Sequence, residues 1–133
     1  MALDVLMLNF AQALGAVSRR DGDVWVLEVP VDEEHSRVLF FRLNVVPTED
    51  DGRESLLVCF TRLGEYIGEH ALRRLEKMLS LAMQLRYARI ALLEGELVLF
   101  ALAPEVSTEA NMLEMAHEVA WMGEQLSREL ARV

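Results

Sequence analysis

Histidine, cysteine and serine are the side chains of this sequence that could carry out chemistry, by binding a metal or by acting as a base or nucleophile. His35, His70 and His117 lie far apart, and none has a second ligand at the spacing of a metal site. His117 begins the segment HEVAW, which has one acid beside it but lacks the second histidine of a metalloprotease helix. We therefore expect neither a metal site nor a bound cofactor.

Nucleophilic catalysis also lacks a pattern in this sequence. Cys59 is the only cysteine and lies in the apolar run SLLVCF, where a lone thiol is typically a small core residue. Ser18, Ser55 and Ser80 have no base in register, and no Gly-rich segment could cradle a phosphate. The sequence therefore predicts that the protein is not an enzyme.

A basic cluster formed by His70, Arg73, Arg74 and Lys77 lies on one side of a predicted helix. Such a cluster could hold an acidic partner or a phosphate. On an amphipathic helix it is more typical of the solvated face, and we interpret it in that way.

Three residues near the C-terminus are candidates for binding a partner protein. Leu113, His117 and Trp121 recur at spacings of four, off the main apolar stripe of the last predicted helix. Tryptophan is enriched in the residues that dominate binding energy at interfaces. The alternative is that Trp121 packs on the first helix or on a second copy of the chain.

The charge of the chain excludes two classes of ligand. Twenty-two acidic residues oppose 13 basic ones, and the net charge of −9 repels phosphate backbones and anionic membranes. No apolar run approaches the roughly 18 residues of a membrane-spanning helix, and the N-terminal segment lacks the positive region of a signal peptide. We therefore expect a cytoplasmic protein that binds neither nucleic acid directly nor a membrane.

Apolar periodicity predicts a single domain over residues 1–133, with three helices and five strands. The helices are predicted at about 3–17 and 69–86, and from Ser107 or Thr108, either of which could cap the last helix. The strands are predicted at residues 23–31, 37–46 and 55–63, and in the two arms of the hairpin RIALLEGELVLFAL, residues 89–102. The order αβββαββα predicts an α+β fold, in which helices pack on one face of an antiparallel sheet.

The hairpin is apolar on both faces. A two-residue Glu94–Gly95 turn places Leu93 opposite Glu96 and Leu92 opposite Leu97. One face is then wholly apolar, and the other, which carries Leu93 and Phe100, is still too apolar for open water.

Helix 2 has an apolar surface that widens toward its C-terminal end. We expect this helix to cover part of the second hairpin face or to meet a second copy of the chain there, and we favour the second copy. The predicted dimer interface combines this helix with the hairpin and consists of Met78, Leu81, Leu85, Arg89, Leu93, Val98 and Phe100.

The strand meander from Val24 to Leu63 and the block RIALLEGELVLFALAPEVSTEANML resemble the YbjN-like family, which shares the fold of the class I type III secretion chaperones. In that block a hairpin with a glycine turn is followed by a proline, a polar capping stretch and a long last helix. The resemblance covers nearly the whole chain and is one of order and pattern. It implies a homodimer assembled through helix 2 and the neighbouring strands, and binding of partner proteins.

YbjN-like proteins are commonly described as sensory-transduction or stress regulators. The sequence and this resemblance together predict a non-enzymatic, dimeric, chaperone-like adaptor or regulator that binds partner proteins, in a bacterial stress response. The alternative is a sensory domain whose sheet and helices enclose a small ligand.

Overall fold

The described chain folds into three helices and six strands. The structure is a computed structural model that describes residues 3–133; Met1 and Ala2, which belong to the predicted domain, lie outside the described residues. The helices are α1 (Leu3–Leu14), α2 (Ala71–Leu81) and α3 (Glu109–Ala131), and a 3₁₀ turn at Ala82–Gln84 follows α2. The strands are β1 (Val17–Asp21), β2 (Val24–Pro30), β3 (Ser36–Pro47), β4 (Arg53–Glu65), β5 (Arg89–Leu93) and β6 (Glu96–Pro104).

α1 ends three residues earlier than its apolar periodicity predicts. Gly15 adopts a left-handed conformation with φ of 65°, and the amide of Ala16 donates to the carbonyl of Ala11 at 2.8 Å. This pattern terminates a helix at a glycine. The residues beyond it form β1, a strand that the sequence reasoning missed because three of its five residues are charged.

All six strands form one antiparallel sheet in the order β1-β2-β3-β4-β6-β5. The first four strands are a meander, and the β5–β6 hairpin adds to β4 through β6. The predicted α+β class, with helices packed on an antiparallel sheet, is therefore confirmed, with one strand added before the predicted meander.

The three described helices share one core with a single face of the sheet. Phe10 of α1, Met78 of α2 and Val119 of α3 are buried in the same cluster. The sheet contributes alternate residues to it: Leu27, Val29, Leu39, Phe41, Leu57, Cys59, Leu97, Leu99 and Ala101. Cys59 is fully buried, as expected of a core residue, and burial raises the pKa of its thiol well above the usual value.

The hairpin confirms the predicted turn and register. Leu93 pairs with Glu96 and Leu92 with Leu97. Glu94 and Gly95 both have positive φ, at 51° and 81°, as a tight hairpin turn of this kind requires.

α2 is oriented differently from the sequence expectation. Met78, predicted at the dimer interface, is fully buried in the core of its own chain, and this prediction is wrong. Leu72, Leu79 and Met83 are 63%, 54% and 91% exposed. The apolar side of α2 is wide and includes both Met78 and Leu79, so periodicity could not decide which part of it packs on α3.

α3 is the longest described helix, with 23 residues. Thr108, one of the two predicted caps, caps this helix: its side-chain oxygen accepts a hydrogen bond from the amide of Asn111 at 3.1 Å. Among residues 3–133, no helix is long and apolar enough to cross a membrane.

Candidate protein-interaction surface

The side of the sheet opposite the helices carries no covering element within the described chain. We call this side the open face. It is formed by the strand residues that alternate with the core residues, such as Val26, Phe40, Phe60 and Phe100. The second face of the hairpin, which the sequence predicted to need a cover, is part of this surface.

A row of aromatic side chains crosses the open face. Val26 pairs with Phe40, Phe40 with Phe60, and Phe60 with Phe100, so that these residues lie side by side on four strands. The rings of Phe40 and Phe60 stack with centroids 5.0 Å apart, and the guanidinium carbon of Arg62 lies 5.5 Å from the Phe40 centroid. The three rings are half-buried, and their outer surfaces contact water.

A hollow of about 300 Å³ lies at the hairpin end of the open face. Its walls are apolar apart from Arg42, and Leu93 at its margin is 54% exposed. Leu102, on the same face, is 49% exposed. Apolar side chains left in water at this density mark a surface that binds another molecule.

The open face differs from the rest of the molecule in charge. Its strands carry four arginines, Arg19, Arg42, Arg62 and Arg89, and five acids, Asp21, Glu28, Glu54, Glu65 and Glu96. The balance of −1 contrasts with −9 for the whole chain. An acidic protein therefore meets little net electrostatic repulsion from this face.

The predicted dimer-interface residues divide between the two sides of the molecule. Arg89, Leu93, Val98 and Phe100 lie together on the open face, at its hairpin end. Leu81 and Leu85 are partly buried against the core on the helix side, where Met78 is fully buried. The structure therefore does not bring these three residues together with the hairpin residues.

The three predicted partner-binding residues lie together on the outer side of α3. His117 stacks on Trp121, with ring centroids 4.0 Å apart and an angle of 8° between the rings. Leu113 and Trp121 pack partly against the core, so His117 is the exposed member of the group. Trp121 is thus half-buried within its own chain, and His117 covers one face of its ring.

Two carboxylates on the helix side hold loops in place rather than form a reactive site. Glu118 of α3 accepts the backbone amides of Arg86, Tyr87 and Ala88 at 2.9, 2.8 and 2.7 Å. Sequence reasoning missed this contact, because residues 30 positions apart share no local signal. The neighbouring Tyr87 hydroxyl donates to Glu114 at 2.5 Å, and this hydrogen bond is the main cause of a raised Tyr87 pKa.

Asp32 is the second such carboxylate, in the connection between β2 and β3. Arg128 of α3 donates to it at 2.8 Å, and the amides of Glu34 and His35 donate at 2.9 and 2.8 Å. The hydrogen bond from Arg128 is the main reason that the pKa of Asp32 lies well below its usual value, and the other donors lower this pKa further. Arg128 is also within 3.3 Å of Glu124, which pairs with Arg37 at 2.8 Å.

The basic cluster on α2 does not converge on a ligand-binding site. Lys77 lies 3.8 Å from Glu129 of α3, and His70 and Arg73 are exposed. In the part of the chain that the structure describes, no group of three or more His, Cys, Asp or Glu side chains is placed to hold a metal ion.

No protein-family model matches the chain. No curated protein matches it significantly either.

Proposed function

We propose that the protein is a non-enzymatic, homodimeric, chaperone-like adaptor or regulator that binds partner proteins in the cytoplasm. The observation that carries the proposal is the open face, which combines a half-buried aromatic row and the exposed Leu93 and Leu102 with a near-neutral charge on an acidic molecule. Burying a large apolar side chain is worth about 1.5–3 kcal/mol, so a protein that covers this face gains several such contributions.

The resemblance of the sequence to YbjN-like proteins and secretion chaperones supports the same conclusion and adds a role in a bacterial stress response. In this proposal the hairpin end of the sheet, with Arg89 and Leu93, meets a second copy of the chain. The remainder of the open face and the His117–Trp121 pair meet partner proteins.

Light scattering tests the dimer. The expected mass at micromolar concentration is about 30 kDa, twice the chain mass of 15.1 kDa. A mass of one chain at that concentration would contradict the proposed dimer and leave partner binding to be judged separately.

A matched pair of variants tests partner binding. Leu102→Asp places a charge on the open face, and Val45→Asp places one at a similarly exposed strand position that points to the other side. Immobilised wild-type protein and the Val45→Asp variant should retain the same co-purifying proteins. Leu102→Asp should bind them about thirtyfold more weakly, since a dominant interface residue is worth about 2 kcal/mol. Equal recovery by all three proteins would contradict the assignment of the open face.

The hollow on the open face favours one further candidate, a sensory domain for a small apolar ligand. Its volume of about 300 Å³ is at the lower end of the range for small-molecule sites. This function predicts that a metabolite raises the free energy of unfolding by RT ln(1 + [L]/Kd), which is measured as a higher melting temperature. A variant with the hollow filled, Ala91→Leu, should lose that stabilisation; an unchanged stabilisation would place the ligand elsewhere.

A further inference from the structure

The two edges of the sheet differ in how they are protected against pairing with another chain. β1, at one edge, has the sequence VSRRD, and its charged side chains are of the kind that discourages edge pairing. β5, at the other edge, has the sequence RIALL, with one charge and no proline. β6 is its only strand neighbour among residues 3–133. An uncovered apolar edge strand favours pairing with another strand.

The hairpin register shows which backbone groups of β5 point away from the sheet. In a two-residue hairpin, the residues flanking the turn form a hydrogen-bonded pair, here Leu93 and Glu96. Since this pattern alternates along the strand, Ala91 and Arg89 also direct their backbone groups to β6. Ile90 and Leu92 direct their amides and carbonyls outward, where they can pair with a further strand.

We propose that β5 pairs antiparallel with β5 of a second copy, about a two-fold axis that passes beside Ala91. Two six-stranded sheets then form one sheet of twelve strands. This inference rests on the proposed homodimer and specifies how its two copies meet. Phe100 lies one strand inward in this arrangement and stays on the open face for partner proteins, and Val98 beside it is buried within its own chain.

A second copy fits this edge because the strand is complementary to itself. With the axis at Ala91, Ile90 lies opposite Leu92 of the second copy, and both residues have outward-directed backbone groups. This gives four hydrogen bonds across the axis. The small side chains of Ala91 face each other. Arg89 lies opposite Leu93 of the second copy, next to its Glu94 and Glu96, so two symmetric sets of opposite charges meet.

The helix side of the same region supports a second copy rather than a single added strand. Leu92 points to the helix side of β5, yet it is 54% exposed. Met83, in the 3₁₀ turn that leads toward β5, is 91% exposed. A second copy paired at β5 brings its own helix layer to this side of the edge, where Leu92 is exposed, whereas an isolated peptide strand would bring none.

Cysteine cross-linking tests the register. Cys59 is fully buried, so Ala91→Cys introduces the one accessible thiol. Facing residues of a non-hydrogen-bonded antiparallel pair have Cα atoms about 4.5 Å apart, which a disulfide can span. Under mild oxidation, Ala91→Cys should form a covalent dimer. Leu93→Cys, which faces Arg89 of the second copy, and Val17→Cys on the β1 edge should stay mostly uncross-linked.

Failure of this register and failure of the dimer give different results. If light scattering finds a dimer but Ala91→Cys does not cross-link, or Leu93→Cys cross-links more readily, the edge pairing is overturned and the dimer remains. If the wild type has the mass of one chain, the dimer and the edge pairing fall together.

A proline variant tests the backbone hydrogen bonds. Leu92→Pro removes an outward amide at an edge position where a folded sheet tolerates proline. It should raise the dimer dissociation constant about tenfold or more, while Leu92→Thr, which keeps the amide, should change it less. Circular dichroism of both variants checks the fold. A folded Leu92→Pro protein that dimerises as tightly as Leu92→Thr would overturn the pairing.

Discussion

Single polar side chains of α3 hold the loops that lead into the sheet. Glu118 is the clearest case, since one carboxylate accepts three consecutive backbone amides just before β5. Hydrogen bonds to a charged acceptor are stronger than neutral ones, and partly buried amides left without an acceptor destabilise the fold. This residue therefore sets where β5 begins, and with it the position of the edge.

Replacing Glu118 should destabilise the protein. We expect Glu118→Ala to lower the free energy of unfolding by about 3 kcal/mol, because three amides lose their acceptor. Glu118→Gln keeps one acceptor oxygen and should cost less. Urea denaturation measures both, with Gln125→Ala, an exposed position on the same helix, as the control. A loss from Glu118→Ala no larger than the control's would contradict this role.

Contacts between elements explain why α3 lies so close to the sheet. Gly123 of α3 faces Thr61 of β4, and a Cβ at position 123 would lie 2.7 Å from the Thr61 methyl carbon. Thr61 cannot easily turn away, because its hydroxyl donates to the carbonyl of Val38 at 2.8 Å. A glycine inside a helix, which lowers helix propensity, is here required by the close approach of helix and strand.

Gly123→Ala should therefore destabilise the fold despite the better helix propensity of alanine. Overpacking costs about 1–3 kcal/mol, and the gain in propensity offsets about 1 kcal/mol of it. The expected net effect is a melting temperature lower by about 4 °C. Scanning calorimetry against Gln125→Ala measures it; a higher melting temperature would mean that α3 moves away from β4 without cost.

The Asp32–Arg128 contact ties the β2–β3 connection to α3 and should depend on pH. The folded-state pKa of Asp32 lies below its usual value of 3.8, so ionised Asp32 stabilises the fold above that value. This stabilisation is lost as the pH falls through the lower folded-state pKa. The difference in melting temperature between wild type and Asp32→Asn should be constant from about pH 7 to 5 and shrink below about pH 4. A difference that does not shrink below about pH 4 would contradict this role of ionised Asp32.

The molecule as a whole has one face that its own chain leaves uncovered. α1 packs on β1 and β2, and α3 on β3, β4 and β6, which leaves the opposite side of the sheet without a helix in the described chain. The charges on this face are also nearly balanced, whereas the whole chain has a net charge of −9. Both features suit association with protein better than exposure to water.

Association should make the stability of the protein depend on its concentration. A dimer whose copies stabilise one another melts at a higher temperature when its concentration rises. We expect the melting temperature to rise by several degrees between about 1 and 100 μM for the wild type. Leu92→Pro should reduce this dependence. A melting temperature independent of concentration in the wild type would contradict the dimer.

Local patterns in the sequence were sufficient for every helix and strand except β1, and for the faces of the predicted strands. Alternation along a strand assigns its residues to two sides, and the Glu94–Gly95 turn sets the hairpin register. The α+β class and the buried Cys59 follow from such short-range rules, which also limited the α3 cap to Ser107 or Thr108. The second apolar face of the hairpin could likewise be predicted residue by residue.

Contacts between distant residues decided the rest. The charged residues of β1 carry no strand signal, and they form a strand because β2 offers an edge to pair with. α2 has a wide apolar side that includes both Met78 and Leu79, so only its packing on α3 turns Met78 inward and leaves Leu79 outside. Whether the second hairpin face is covered depends on where all three helices lie. A sequence pattern reports which residues share a face, and packing decides which faces meet.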